Sequence, residues 1–209
     1  SIKNSVAVPF LVELYGRRKE EFEDSIVEAL SCMPDKKSFS VFVSSLESDR
    51  PQVRFLSARA LGNLGDREAV HALLKTLYDE DWPVCSEVIK ALGKIADTKA
   101  LEGLKDFIGH KRSYIRKLAV RAAGNMGMEA SSIILPALKD KHNYVRFSAA
   151  MALHNMGWHT DDTCLKADYY FAIRDYKSLV SLGNTGIEVL VKGLGDSYSI
   201  IKDSVETFI

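Results

Sequence analysis

The sequence predicts an all-α fold, an α-α superhelix in which short amphipathic helix pairs stack into a solenoid. Three observations carry that prediction. The first is a period: aligning Leu61 with Leu92, Ala123 and Leu153 gives spacings of 31, 31 and 30 residues. Self-similarity at this length marks arrays whose single units cannot bury an apolar face alone. The second is the make-up of the first helix in each unit. It carries Val53-Arg54, Val84-Cys85, Ile115-Arg116 or Val145-Arg146, followed by small residues such as Ala58, Ala60, Ala119, Ala122, Ala149 and Ala150. The third is the turn that ends it: Gly62-Asn63-Leu64-Gly65, Gly93-Lys94-Ile95-Ala96, Gly124-Asn125-Met126-Gly127 or His154-Asn155-Met156-Gly157.

The elements follow in order. Residues 5–15, SVAVPFLVELY, match the second helix of a repeat, with 7–12 overlaying 69–74, so the chain starts in mid-repeat, and Gly16-Arg17-Arg18-Lys19 reads as a basic turn. Residues 20–34 and 35–47 make the first complete pair, and 49–78, 80–108 and 111–139 the next three. Residues 142–157 give a further first helix. The period then breaks, because Val145 to Ile200 is 55 residues, and an insert at about 158–183 accounts for the excess. Within it, Asp161-Asp162-Thr163 reads as a helix N-cap, followed by a helix through Tyr169–Ile173 and a short one at Tyr176–Leu182. Residues 185–195 are expected to supply the second helix of the interrupted unit. Residues 196–209 match the first helix of one more repeat, with Ile200 and Phe208 at the anchor positions. The expectation is one array over 1–209, incomplete at 1–19 and 196–209. Beginning with Ser in mid-repeat, it reads as a piece of a longer array.

This pattern resembles HEAT repeats, and most closely the short HEAT-like repeats named after the phycobilisome lyases, over about residues 35–157. The resemblance implies a fold. It does not imply one activity, because such repeats serve scaffolds, chromophore lyases, a metal-dependent hydroxylase and DNA-glycosylase-like proteins.

Lys+Arg and Asp+Glu balance at 28 each, so no global field draws nucleic acid or anionic membrane. No run approaches the roughly 18 apolar residues that span a bilayer, and SIKNSVAVPF lacks the layout of a signal peptide. A cytoplasmic protein without a membrane partner is expected. Cys32, Cys85 and Cys164 form no CxxC pair and read as small buried hydrophobes.

No catalytic residue, metal site or cofactor is predicted. The His154, His159, Asp161, Asp162 and Cys164 cluster matches no compact ligand spacing. The His-Glu dipeptides of the HEAT hydroxylases are absent, as are GxSxG, the P-loop and the dinucleotide fingerprint. Two binding surfaces are candidates. The second helices should line the concave side, where His71, Glu102, Ser132 and Glu188 form one polar row and Lys75, Asp106, Pro136 and Lys192 the next. A protein or peptide partner fits these mixed charges. The alternative is nucleic acid, held by a basic edge of Lys111, Arg112, Tyr114, Arg116, Lys117, Lys141, Tyr144 and Arg146, where cations grip phosphates and tyrosines stack bases. For Arg54, Arg116 and Arg146 there is also a structural reading, a ladder of ion pairs to Asp49, Asp81 and Asp140 in the turns between repeats. Trp82 is either folded over its neighbour helix or a binding hot spot. The partner's identity and the oligomeric state are not encoded legibly.

Overall fold

A computed structural model describes residues 2–33 and 35–193, among which every regular element is helical. The expected helix at 196–209 lies outside the described residues. The chain divides into two compact units, residues 1–110 and residues 111–209. No helix among the described residues is long and apolar enough to cross a membrane.

In the first unit, α1 (Ile2–Ser31) is one unbroken helix of 30 residues. The turn expected at Gly16–Lys19 does not form. One glycine is a weak breaker when strong helix formers follow it and no capping side chain starts a new helix, and Arg17 bridges back to Glu13 at 2.7 Å, one turn earlier. The rest runs α2 (Phe39–Ser45), α3 (Pro51–Leu64), α4 (Val70–Thr76), α5 (Trp82–Ile95) and α6 (Leu101–Ile108). Asp35, Asp66 and Asp97 each accept the backbone N–H two residues on, which starts a single 3-10 turn before α2, α4 and α6. Asp81 instead caps α5 through the Val84 N–H. Trp82 therefore opens a helix rather than sitting in a turn, and it is half exposed.

α3 packs on α5, and α4 on α5. A Cβ on Gly62 would lie 2.7 Å from the Ala91 Cα, so the small residues do allow close approach. Leu61, Leu73, Leu77, Leu92 and Leu104 are fully buried. The apolar stripe of the second helices reads in sequence as Leu73, Leu74 and Leu77 and as Ile134, Leu135 and Leu138, but Leu74 and Leu135 are only half-buried. Each lies next to its set rather than on the buried stripe, where the helical period turns the side chain outward.

The second unit holds α7 (Ser113–Gly124), α8 (Ser131–Ile134) running into a 3-10 segment at Leu135–Lys139, α9 (Asn143–Asn155), α10 (Thr163–Ile173), α11 (Tyr176–Val180) and α12 (Asn184–Gly193). Asp162 caps α10 through the Leu165 N–H at 2.9 Å, as the sequence suggested. The alignment that made α12 the partner of α9 is corrected by the packing. α10 lies against both α9 and the Leu135–Lys139 segment, the place a second helix takes, and α12 packs on α10 and α11. Phe171, Ala167, Leu179 and Leu190 close this terminal core. Chain length alone did not reveal that the inserted helix does the covering.

Gly186 is where α11 and α12 meet. A Cβ there would stand 1.9 Å from the Leu179 carbonyl oxygen, which is backbone and cannot swing aside. Gly186→Ala is expected to destabilise the second unit by about 1–3 kcal/mol, read as a lower urea midpoint. An unchanged midpoint would show that the α11–α12 contact carries no stability.

Of the cysteines only Cys85 is buried; Cys32 and Cys164 are exposed, against expectation. Both sit where a helix starts or has just ended, beyond the reach of the packed stripe. Burial first, and then the negative charge of Asp79, push the Cys85 thiol up to about 11. At neutral pH a thiol-disulfide reagent is expected to label Cys32 and Cys164 rapidly and Cys85 only after unfolding. Fast labelling of all three would overturn the packing of Cys85.

Candidate functional site

One column of positions runs through the repeats: Glu23, Arg54, Cys85, Arg116 and Arg146, spaced by 31, 31, 31 and 30 residues. The partners lie in the turns rather than beside them in sequence. In the first unit Arg54 donates from Nε to Asp79 Oδ2 at 2.6 Å, from Nη2 to Asp79 Oδ1 at 2.9 Å, and from Nη1 to the Ser48 carbonyl at 2.8 Å. In the second unit Arg116 donates to Asp140 at 2.5 and 2.8 Å and to the Lys111 carbonyl at 3.2 Å. Each arginine thus ties the turn before its repeat to the turn after it, with the two-pronged geometry only a guanidinium offers. The acid of Arg54 is Asp79, not Asp49 or Asp81. Asp81 is spent on its helix cap, and its own N–H is held by Asp79 at 2.9 Å. Hydrogen bonding to the carboxylates raises both guanidinium pKa values, against desolvation.

Arg146 continues the column differently. It donates to the Asp140 carbonyl at 2.8 Å and stacks 5.2 Å from the centroid of Phe171. At the front of the chain Glu23 replaces arginine and accepts from Ser48 Oγ at 2.7 Å. The ion-pair column is structural. It removes Arg116 and Arg146, only 6% and 5% exposed, from the edge proposed to grip phosphates.

What remains of that edge is Lys111, Arg112, Tyr114, Lys117, Lys141 and Tyr144, all at least partly exposed. The structure brings Lys117 and Tyr144 together, with Nζ 5.8 Å from the ring centroid, and ties the Tyr144 hydroxyl to Ser113 Oγ.

All eight residues of the predicted rows are exposed: His71, Lys75, Glu102 and Asp106 in the first unit, and Ser132, Pro136, Glu188 and Lys192 in the second. Glu188 and Lys192 leave the rows all the same, because they sit on α12, which packs on α10 and α11 rather than serving as the second helix of α9. Asp106 accepts from Tyr78 Oη at 2.8 Å, and Glu102 lies 3.7 Å from Lys105. Tyr78 was missed by sequence reasoning, although its place just before the Asp79 turn could have marked it. Glu188 and Lys192 line a cleft of about 420 Å³ with Lys139, Lys141, Asp168 and Phe171. Burial is the leading influence on Asp168 and raises its carboxyl pKa, despite Lys139 Nζ at 3.3 Å.

The metal candidates are dispersed: His154 Nδ1 faces Tyr169 Oη at 3.1 Å, His159 Nδ1 the Gly157 carbonyl at 2.9 Å, and Asp162 caps α10. Among the described residues no group of three His, Cys, Asp or Glu converges.

The geometry defines a class, the helical-repeat protein whose paired helices present a surface and whose interior is packed. More particularly, residues 39–117 match the family model "HEAT repeats". The chain is 30% identical over 145 residues, 63% of its length, to phycocyanobilin lyase subunit alpha of Picosynechococcus sp. (strain ATCC 27264 / PCC 7002 / PR-6). It spans about half, 54%, of that relative. Among solved structures, one chain in the complex of CpcE and CpcF of phycocyanin lyase from Nostoc sp. PCC7120 matches with a TM-score of 0.61 at 17% identity, covering 96% of this chain and 92% of that one. A designed armadillo repeat protein in complex with the peptide (KR)4 matches with a TM-score of 0.61 at 17% identity, over 95% of this chain and 96% of that one. Both similarities show the fold.

Proposed function

We propose that the protein is a non-enzymatic docking scaffold that binds a protein partner across the exposed rows of its second helices and works in the cytoplasm. The observation that supports this reading is the split in chemistry between two sets of polar residues. Those of the repeat column are buried or nearly so and consumed by the fold, whereas His71, Lys75, Glu102, Asp106 and Ser132 on the second helices, with Glu188 and Lys192 on α12, are exposed and mixed in sign. Packed helix pairs within each unit present these side chains with little ordering cost on their own side. The solved relatives include a two-protein lyase complex and a repeat protein holding a peptide, which is how this fold is used elsewhere.

The test places a photo-crosslinking residue at Lys75 and at Glu188 in the protein expressed in its own cells. Adducts of one size that vanish when Glu102 and Lys192 are charge-reversed support the scaffold. Absence of adducts from both positions counts against it. The same protein is titrated against labelled single- and double-stranded oligonucleotides across a salt series. Low-micromolar binding near physiological salt, with a steep slope flattened by replacing Lys111, Arg112, Lys117 and Lys141 with Glu, would transfer the reading to nucleic acid.

A second reading is favoured by the lyase relative: a subunit that handles an open-chain tetrapyrrole. Absorbance titration with phycocyanobilin decides it. A shifted, saturable bilin band supports the lyase-like role, and an unchanged spectrum removes it.

A further inference from the structure

The first helices of the second unit carry a surface that neither the repeat column nor the second-helix rows use. Along α9, Tyr144, Phe147 and Met151 follow one another at helical spacing. Phe147 is 49% exposed and Tyr144 38%. On α7, Lys117 and Arg121 stand one turn apart. All five line one groove of about 390 Å³. At its far end the helices nearly touch, since a Cβ on Gly124 would lie 2.7 Å from the Ala152 Cβ. Neither α7 nor α9 contains a single Asp or Glu. The groove therefore pairs an apolar wall with a cationic wall, both running along the helix axes.

We propose that this groove docks an acidic amphipathic helix of a partner protein. Three anchors over two turns, about 10 Å of helix, match the i, i+3, i+7 spacing with which an amphipathic helix presents its own apolar side. Acids one turn apart on that helix would face Lys117 and Arg121. Exposed charge pairs of this kind set specificity and register more than affinity, while the apolar wall supplies the burial. Nucleic acid fits the same groove less well. With Arg116 and Arg146 buried, only two cations line it, and each neutralised phosphate contributes just one step of salt dependence. The surface is separate from the second-helix rows, so the inference stands apart from the proposed function.

The test uses the full chain and three fluorescent probes. One is a helical peptide of about 16 residues with Leu and Phe on one stripe and Glu flanking it. The second is its charge-inverted Lys twin, and the third a single-stranded oligonucleotide of about 20 nucleotides. The acidic peptide is expected to bind, the Lys twin not. Lys117→Glu with Arg121→Glu, and separately Phe147→Ser, should each weaken binding by about tenfold or more. Lys75→Glu, on the other surface, should leave it unchanged. The substituted side chains are at least partly exposed, so circular dichroism should stay native. The proposal is overturned if the acidic peptide fails to bind, if the groove variants bind it as well as the native chain does, or if the oligonucleotide alone binds in a way that Lys117→Glu abolishes.

Discussion

Arg116→Ala is expected to destabilise the second unit by about 3–5 kcal/mol. The pair it breaks is buried on both sides, with side chains 8% and 9% exposed. Truncation leaves the largely buried Asp140 carboxylate without its guanidinium, still holding the His142 N–H. Asp140→Ala should cost a similar amount by stranding the guanidinium. Arg116→Met with Asp140→Leu should lose less, because replacing both ions by apolar groups leaves no unpaired charge, although the His142 N–H and the Lys111 carbonyl lose a partner. Urea unfolding of the four proteins measures this, provided the m-values agree. A loss under 1 kcal/mol for Arg116→Ala would mean that the column is decorative.

The same pair sets a pH dependence. Burial works to raise the Asp140 pKa, but the Arg116 hydrogen bonds, the His142 N–H and the nearby positive charge outweigh it, and the carboxyl ends below its ordinary 3.8. A group depressed in the folded state adds stability that is complete above the unfolded value and lost as pH falls through the folded one. Acid should therefore weaken the native protein below about pH 4. Arg116→Ala should lose most of this dependence.

Why the pair was only half legible is instructive. The sequence shows an arginine at a fixed repeat position and acids in the turns, Asp49, Asp81 and Asp140 among them, without pairing one to the other. The observed partner of Arg54 stands 25 residues away in the turn that follows the repeat, because stacking returns that turn to the arginine. Asp81 was no candidate once its side chain was needed by the Val84 N–H. The first helices, their small residues and the turns after them were readable since each repeats a local chemical demand. The continuity of α1 was not, because Gly16 resembles a turn, whereas one glycine without a capping side chain after it breaks a helix only weakly. Nor was the role of α10: counting residues finds an insertion, whereas covering α9 is a matter of three-dimensional fit. The apolar stripe at Tyr144, Phe147 and Met151 was hidden for a related reason. Tyr144 reads as part of the basic edge, but in sequence Phe147 and Met151 look like core, and only the lack of a packing neighbour among the described residues exposes them.

The contrast between core and outward rows leads to the second large effect. Leu73→Ala and Leu138→Ala are each expected to cost about 2–5 kcal/mol, since Leu73 is 0% and Leu138 1% exposed. His71→Ala and Ser132→Ala, on the same second helices but facing solvent, should stay within about 0.5 kcal/mol. In a stack each helix draws stability from its immediate neighbours. The damage should accordingly be local in hydrogen exchange. For Leu73→Ala, protection should fall in α4 and α5, which pack together; for Leu138→Ala, in Leu135–Lys139 and α9, which do the same. If His71→Ala destabilised as strongly as Leu73→Ala, the exposed row would be part of the packing, and no residue of it would be available to a partner. If the leucines cost much and the polar residues nothing, selection for stability does not explain the charges of that row. Solvation of the surface and recognition of another molecule are then the two reasons left for them, and adducts at the crosslinking positions separate the two.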